Sequence, residues 1–311
     1  MAHAAEELIT ASKVAFIGLG NMGGPMAANL AKAGVSVRGY DLVPEAMDTA
    51  RSHGVEVFSD PLEAVAEADV VLTMLPSGQH VLAAYRDSPG LLSAAKPGAI
   101  FLDCSTINIS EAQEAAEEAQ RAGFRAAEAP VSGGVVGAEA ATLAFMVGAQ
   151  EEVYEEIRPL LEIMGARVVH CGGNGLGQAA KVCNNMILGI TQIAVGEAFV
   201  LGERLGLTHQ ALYDVVSKAS GQCWALTTNC PVPGPVPNSP ANRDYAPGFA
   251  GALMAKDLKL ASNALDEQNV EAQMGRLAAE IYSEFAEGPG AAEDFSAIIN
   301  TIRAKTEPQG A

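Results

Sequence analysis

Aromatic side chains are scarce in this chain, at 5% with a single tryptophan, and positive charge is scarcer than negative, 19 Lys and Arg against 37 Asp and Glu. A formal net charge of −18 repels polyanions, so neither nucleic acid nor an anionic membrane surface is expected as a partner. An anionic substrate would have to be drawn in by a local site. The five cysteines, at 104, 171, 183, 223 and 230, form no CxxC pair and no Cys/His ligand spacing. They read as reduced thiols of a cytoplasmic protein with no structural metal. The opening MAHAAEELITAS carries two glutamates and no arginine, unlike a signal or transit peptide, so residues 1–12 and 306–311 are expected to be tails. No internal repeat is evident.

What is plentiful is glycine, 32 residues, within a hydrophobic content of 49%. A chain of 311 residues can bury the cores of two domains. The apolar run Lys13 to Ile17 leads into GLGNMGG, in which Gly18, Gly20 and Gly23 make G-x-G-x-x-G, with Leu19, Asn21 and Met22 between them. A second apolar run, Val35 to Tyr40, ends in Asp41, 18 residues after Gly23. Strand, glycine turn, helix and a following acid are the arrangement of a dinucleotide site. The pyrophosphate would sit on the amides of the helix start. Asp41 would accept from the ribose hydroxyls and repel a 2′-phosphate, favouring NAD over NADP. The alternative for Asp41 is an N-cap or turn residue before Pro44. Arg38 is not placed as a phosphate clamp.

Helix and strand patterns then alternate. Helices are expected at Pro44 to His53, Pro61 to Ala66 with Asp60 as N-cap, around His80 to Tyr85, Ser110 to Ala122 and Glu151 to Met164. Strands are expected at Val55 to Phe58, Asp69 to Leu75, Ala99 to Asp103, Phe124 to Ala129, Thr142 to Val147 and Val168 to Cys171. This is the signature of an α/β, doubly wound (Rossmann-type), mostly parallel sheet, and it bounds a first domain at 13–173. Ligands of such sheets lie beyond the carboxyl ends of the strands. Three loops there stand out: Leu75-Pro76-Ser77, Cys104-Ser105-Thr106 and Pro130 to Gly134. In the last, Ser132, Gly133 and Gly134 offer a hydroxyl and unhindered amides to a carboxylate, or form a plain turn.

The stretch GGNGLGQAAKVCNNM, Gly172 to Met186, opens a helix of about 30 residues, from about 176 to 206. Lys181, Asn184 and Asn185 fall at i, i+3 and i+4 on one face. Beyond them the helix is apolar almost all round, which predicts a buried helix. Asn184, Asn185, Gln192 and Glu197 interrupt the run and argue against a membrane span. A buried lysine is either half of a structural ion pair or a reactive group. Gly189, Gly196 and Gly202 on this helix point to close domain or subunit contact. Helices follow at Thr208 to Ala219, Leu253 to Asp266, Glu271 to Glu284 and Phe295 to Arg303, with a proline-dense loop at 222–247 read as a pocket wall. The second domain, 174–305, is thus expected to be all-α.

The run from Phe16 to Gly34, DCST at 103–106, APVSGG at 129–134, KVCNN at 181–185 and MAKDLKLA at 254–261 together resemble the β-hydroxyacid dehydrogenase family, over nearly all of the chain from Lys13 to about Arg303. Within it, GQCW at 221–224, the proline-rich segment and FAGALMAKDLKLA are similar to the members acting on 3-hydroxyisobutyrate. The resemblance implies that Gly18 to Gly23, Asp41, Leu75, Pro76, His80, Thr106 and Lys256 hold NAD. It places the carboxylate of a small 3-hydroxy acid on Ser132, Gly133 and Gly134, near Thr106. It makes Lys181 the acid/base and Asn185 its helper, with Asn184 beside them and Trp224 and Phe249 as pocket wall or core.

The implied reaction oxidises a primary alcohol to methylmalonate semialdehyde in valine degradation, by a homodimer or homotetramer. It requires a neutral lysine, against an unperturbed pKa of about 10.4, and burial with Lys256 as a neighbouring cation would supply the shift. Competing readings are a related reductase of tartronate, glyoxylate or succinate semialdehyde, a non-catalytic NAD-binding sensor, and a Schiff-base lysine enzyme.

Overall fold

The structure, a computed structural model, describes residues 12–87 and 89–306. The expected tails therefore lie outside the described residues, apart from Ser12 and Thr306. The chain divides into two compact units, and the division falls between Lys181 and Val182.

In the N-terminal unit, β1 (Lys13–Ile17), β2 (Ser36–Tyr40), β3 (Glu56–Val57), β4 (Val70–Thr73), β5 (Ile100–Asp103) and β6 (Arg125–Glu128) pair in parallel in the order 3-2-1-4-5-6. This is the Rossmann order, whose switch point lies between β1 and β4. Successive residues of each strand enter different cores: Val14 and Phe16 pack on one face of the sheet, Ala15 and Ile17 on the other. Burial on both faces is why these strands read as continuous apolar runs rather than alternating ones. The connecting helices are α1 (Gly23–Lys32), α2 (Pro44–Ser52), α3 (Pro61–Val65), α4 (Gly78–Arg86), α5 (Leu91–Ala94) and α6 (Ile109–Arg121). Asp60 caps α3 by accepting from the Leu62 amide at 2.9 Å, as its position predicts.

Beyond β6 the sheet changes direction. The short β7 (Val131–Ser132) and β8 (Leu143–Ala149) run antiparallel to each other, β8 is antiparallel to β6, and β9 (Gly165–Gly172) is parallel to β8. Sequence patterning did not separate β7 or the following α7 (Gly134–Glu139) from a loop, because both are too short to show a period. Helix α8 (Glu151–Met164) has the expected bounds.

Helix α9 (Leu176–Arg204) runs unbroken for 29 residues. Length and composition alone would let it cross a membrane, yet half of its most apolar window is buried inside the protein, and Asn185 and Gln192 are among its buried residues. It is not buried all round, contrary to the composition-based expectation: Ile187 and Leu201 are each 60% exposed. Apolar composition predicts the inside poorly in this direction, since much of any protein surface is apolar.

The C-terminal unit adds α10 (His209–Val216), α11 (Trp224–Thr227), α12 (Gly251–Glu267), α13 (Gln273–Ala286) and α14 (Ile298–Thr306). The proline-dense stretch holds α11 and a 3-10 turn at Pro240–Arg243. A Cβ at Gly189, Gly196 or Gly202 would press on Leu258, Ile302 or Leu212 respectively. All three glycines therefore serve packing within this unit and carry no argument for a subunit contact.

Candidate active site

The glycine-rich turn lies between β1 and α1. Gly18 has φ +97°, and a Cβ there would overlap the Met74 carbonyl; a Cβ on Gly23 would overlap the Gly18 carbonyl. Both positions exclude any larger residue. Gly20 has nothing within 4 Å of where its Cβ would be, so a ligand can approach its backbone. Helix α1 has no side-chain cap and no acid in its first turn, leaving its first amides for an anion. These features fit the pyrophosphate of NAD.

Asp41, just past β2, accepts from the Leu19 amide at 2.6 Å and from the Val43 amide at 2.8 Å. One oxygen thus holds the glycine turn and the other holds its own turn. A carboxylate has about four acceptor sites, which leaves capacity for ribose hydroxyls. Arg38 donates to the Ala64 and Glu63 carbonyls and lies over the Phe58 ring, so its guanidinium is committed to α3.

A polar cluster in the sheet supports the next two loops. Asp103 Oδ1 accepts from Thr73 Oγ1 at 2.7 Å and from Ser105 Oγ at 2.6 Å, and Ser105 Oγ in turn accepts from the Leu75 amide at 2.8 Å. The loop that begins at Leu75 is thereby tied to the Ser105 loop at the strand ends. His80, exposed in the first turn of α4, shares a 2.7 Å hydrogen bond with Ser77 Oγ.

Ser132 ends β7, where it pairs with Ala144 of β8. Gly133 and Gly134 follow with φ +138° and +64°, so the chain turns there in a conformation that presents backbone amides.

Lys181 is 5% exposed and sits on the second turn of α9. Two residues outside the sequence-based site fix the start of that helix. Gln178, fully buried, donates from Nε2 to the Ser105 carbonyl at 2.7 Å and accepts from the Ile107 amide at 3.3 Å. It therefore clasps the loop on both sides of Thr106. Glu128, at the end of β6, accepts from the Gly175 amide at 2.6 Å and the Gly177 amide at 3.0 Å through one oxygen. Burial pushes the Glu128 carboxyl up to about 8, against the pull of those two amides. It borders a cavity of about 10 Å³, lined also by Asp103 and Tyr85, which is room for one water. Burial raises the Tyr85 phenol as well.

In the C-terminal unit, Asn185 is 1% exposed. It donates from Nδ2 to Asp257 Oδ2 at 2.5 Å and accepts from Asn184 Nδ2 at 2.9 Å. Asn184 itself is exposed. Of the two amides, Asn185 is the one held rigid. Lys256 Nζ lies 3.8 Å from Asp257 Oδ1. Trp224 is 51% exposed and opens α11. Phe249 is half-buried and packs edge-on against Phe295 at 5.6 Å, so it belongs at least in part to this unit's core. Asp257 was missed as a single residue, although it lies in the MAKDLKLA run.

A profile of the NAD-binding domain of 6-phosphogluconate dehydrogenase matches residues 13–173, and one described as the NAD-binding region of NADP-dependent 3-hydroxyisobutyrate dehydrogenase matches residues 175–302. The chain is 55% identical over 294 residues to a probable 3-hydroxyisobutyrate dehydrogenase of Mycobacterium tuberculosis, covering 94% of this chain and 99% of the relative. It is 44% identical over 286 residues to an NAD-dependent L-serine dehydrogenase of Pseudomonas aeruginosa, covering 92% and 96%. The solved structure of an M. tuberculosis 3-hydroxyisobutyrate dehydrogenase with L-serine superimposes with a TM-score of 0.91, at 54% identity, covering 94% of this chain and 99% of that one.

Proposed function

Because the chain belongs to the β-hydroxyacid dehydrogenase family and is an NAD-dependent oxidoreductase of small hydroxy acids, we propose that it oxidises 3-hydroxyisobutyrate to methylmalonate semialdehyde, with Lys181 as the general acid/base. The observation that carries the chemistry is a lysine 5% exposed on the same helix as a buried, doubly hydrogen-bonded Asn185 one turn on.

NAD supplies the hydride acceptor. Gly18 to Gly23 and the amides of α1 would hold its pyrophosphate, and Asp41 its adenosine ribose. Leu75, Pro76, His80, Thr106 and Lys256 are the further contacts proposed for it. The substrate carboxylate would lie on the Ser132 hydroxyl and the amides of Gly133 and Gly134. Thr106, Asn184, Trp224 and Phe249 are proposed as its other contacts.

To act as a base, Lys181 must present its neutral amine. In the oxidative direction the Lys181 amine takes the hydroxyl proton as the C–H hydride leaves. In the reductive direction its ammonium returns that proton to the nascent alkoxide. Asn185, fixed through Asp257, orients the lysine or the reacting oxygen.

L-serine is the second reading, favoured by the likeness to a serine dehydrogenase and to a structure holding that amino acid. It shares the carboxylate and the primary alcohol and differs at C2, an ammonium in place of a methyl. A panel of 3-hydroxyisobutyrate, L-serine, glycerate and 4-hydroxybutyrate, each with NAD and NADP, tests the proposal. The highest kcat/KM with 3-hydroxyisobutyrate and NAD is expected; a higher value with any other acid would replace the substrate assigned.

A further inference from the structure

Glu128 joins two parts of the site that are far apart in sequence. Four residues after it, the chain reaches Ser132. Its side chain meanwhile accepts from the amides of Gly175 and Gly177, 47 and 49 residues away. Those amides lie at the N-terminal end of α9, and Lys181 follows one turn later. The helix has no acid of its own in the first turn, so its start is satisfied from β6. The groove that holds the carboxyl is close: a Cβ on Gly148 would overlap Glu128 Oε1, and one on Gly177 would overlap the Met146 carbonyl. A shorter side chain at 128 could not reach the amides without moving the helix or the strand.

We propose that Glu128 is a positioning residue for Lys181, setting where the helix bearing the amine starts relative to the Ser132–Gly134 turn, which follows Glu128 by four residues at the end of β7. This rests on the reading of Lys181 as the proton-transfer group and Ser132 as the carboxylate site. The acceptor oxygen does the positioning, so a neutral amide of the same size should serve. The groups facing Glu128 are consistent with that: Asp103 is its in-register neighbour on β5, Tyr85 borders the same cavity from α4, and Cys171 approaches from β9. None of them brings a positive charge, and the second carboxyl oxygen is buried and makes no hydrogen bond among the described residues.

The experiment compares full-length wild type with Glu128→Gln, Glu128→Ala, Glu128→Asp and Lys181→Ala, using 3-hydroxyisobutyrate and NAD, with circular dichroism to check folding. Glu128→Ala and Glu128→Asp should lower kcat by about 10- to 100-fold, the size of effect expected when a reacting group is displaced by about 1 Å. The KM for NAD should stay within about threefold, and Glu128→Gln should restore kcat to within about threefold of wild type. If the alanine variant does not fold, the aspartate and glutamine variants decide alone. Wild-type kcat in folded Glu128→Asp, or a glutamine variant as slow as the aspartate one, would overturn the inference. Turnover retained by Lys181→Ala would instead bring down the reading of the lysine. A dead lysine variant beside a wild-type-like aspartate variant removes only the positioning role.

Discussion

Asn185 and Asp257 form a buried 2.5 Å amide-to-carboxylate hydrogen bond between α9 and α12. Removing Asn185 takes one donor from a buried carboxylate. Asn185→Ala should lower stability by about 1–3 kcal/mol, the cost of losing a hydrogen bond to a buried charged group, and should also lower kcat. Denaturant titration and steady-state kinetics check both. Unchanged turnover would mean that the amide only fastens the two helices.

Lys181→Ala is expected to abolish turnover while NAD affinity, measured by fluorescence titration, stays within about threefold of wild type. A folded variant with near-normal turnover would show that another group moves the proton.

Asp41→Ala should do two things, because the carboxylate holds the Leu19 amide and is proposed to receive the ribose hydroxyls. The KM for NAD should rise by about tenfold. The ratio of kcat/KM for NAD to that for NADP should fall. A raised KM with an unchanged ratio would leave Asp41 only its hold on the glycine turn.

Gln178→Ala removes the clasp on the Thr106 loop, and its main effect should appear in the KM for NAD rather than in kcat. Equal losses in both would place Gln178 with the proton-transfer group instead.

Glu128 gives stability a pH dependence whose sign follows from its raised carboxyl. The ordinary value is 4.5 and the folded value about 8, so the fold favours the protonated form. That contribution is complete below about pH 4.5 and is lost as pH rises through about 8. Wild type should therefore lose stability relative to Glu128→Gln by about 2–3 kcal/mol between pH 5.5 and 7.5, close to the limit of about 1.36 kcal/mol per pH unit. Parallel denaturant unfolding of both proteins at the two pH values measures the difference. A gap independent of pH would mean that the carboxyl is ionised throughout.

The sequence was most legible where chemistry is local. Gly18 to Gly23 follow one another along a single turn, and Lys181 and Asn185 are four residues apart on one helix, so spacing put them on one turn and one helix face, while the role proposed for the lysine came from the family resemblance. The mostly parallel, doubly wound sheet was equally visible, through apolar runs separated by helical patterns. Glu128 and Gln178 were not, since their partners lie 47 and 73 residues away and nothing in a linear pattern joins them. The reversal at β8 was hidden for a related reason: a strand's direction depends on its neighbours, whereas its composition does not.

The boundary between the compact units falls inside α9, between Lys181 and Val182, and this constrains how such a protein can be recombined. Any crossover point within a helix is spanned by about four main-chain hydrogen bonds. A chimera joined there must splice two helices in register, or lose the placement of Lys181. A junction in the glycine segment 172–175 instead transfers the lysine together with the amide, Asn185, that follows it. A junction there keeps the proposed proton-transfer lysine with the helical part, provided that the upstream part supplies a carboxylate in the place of Glu128 to receive the Gly175 and Gly177 amides.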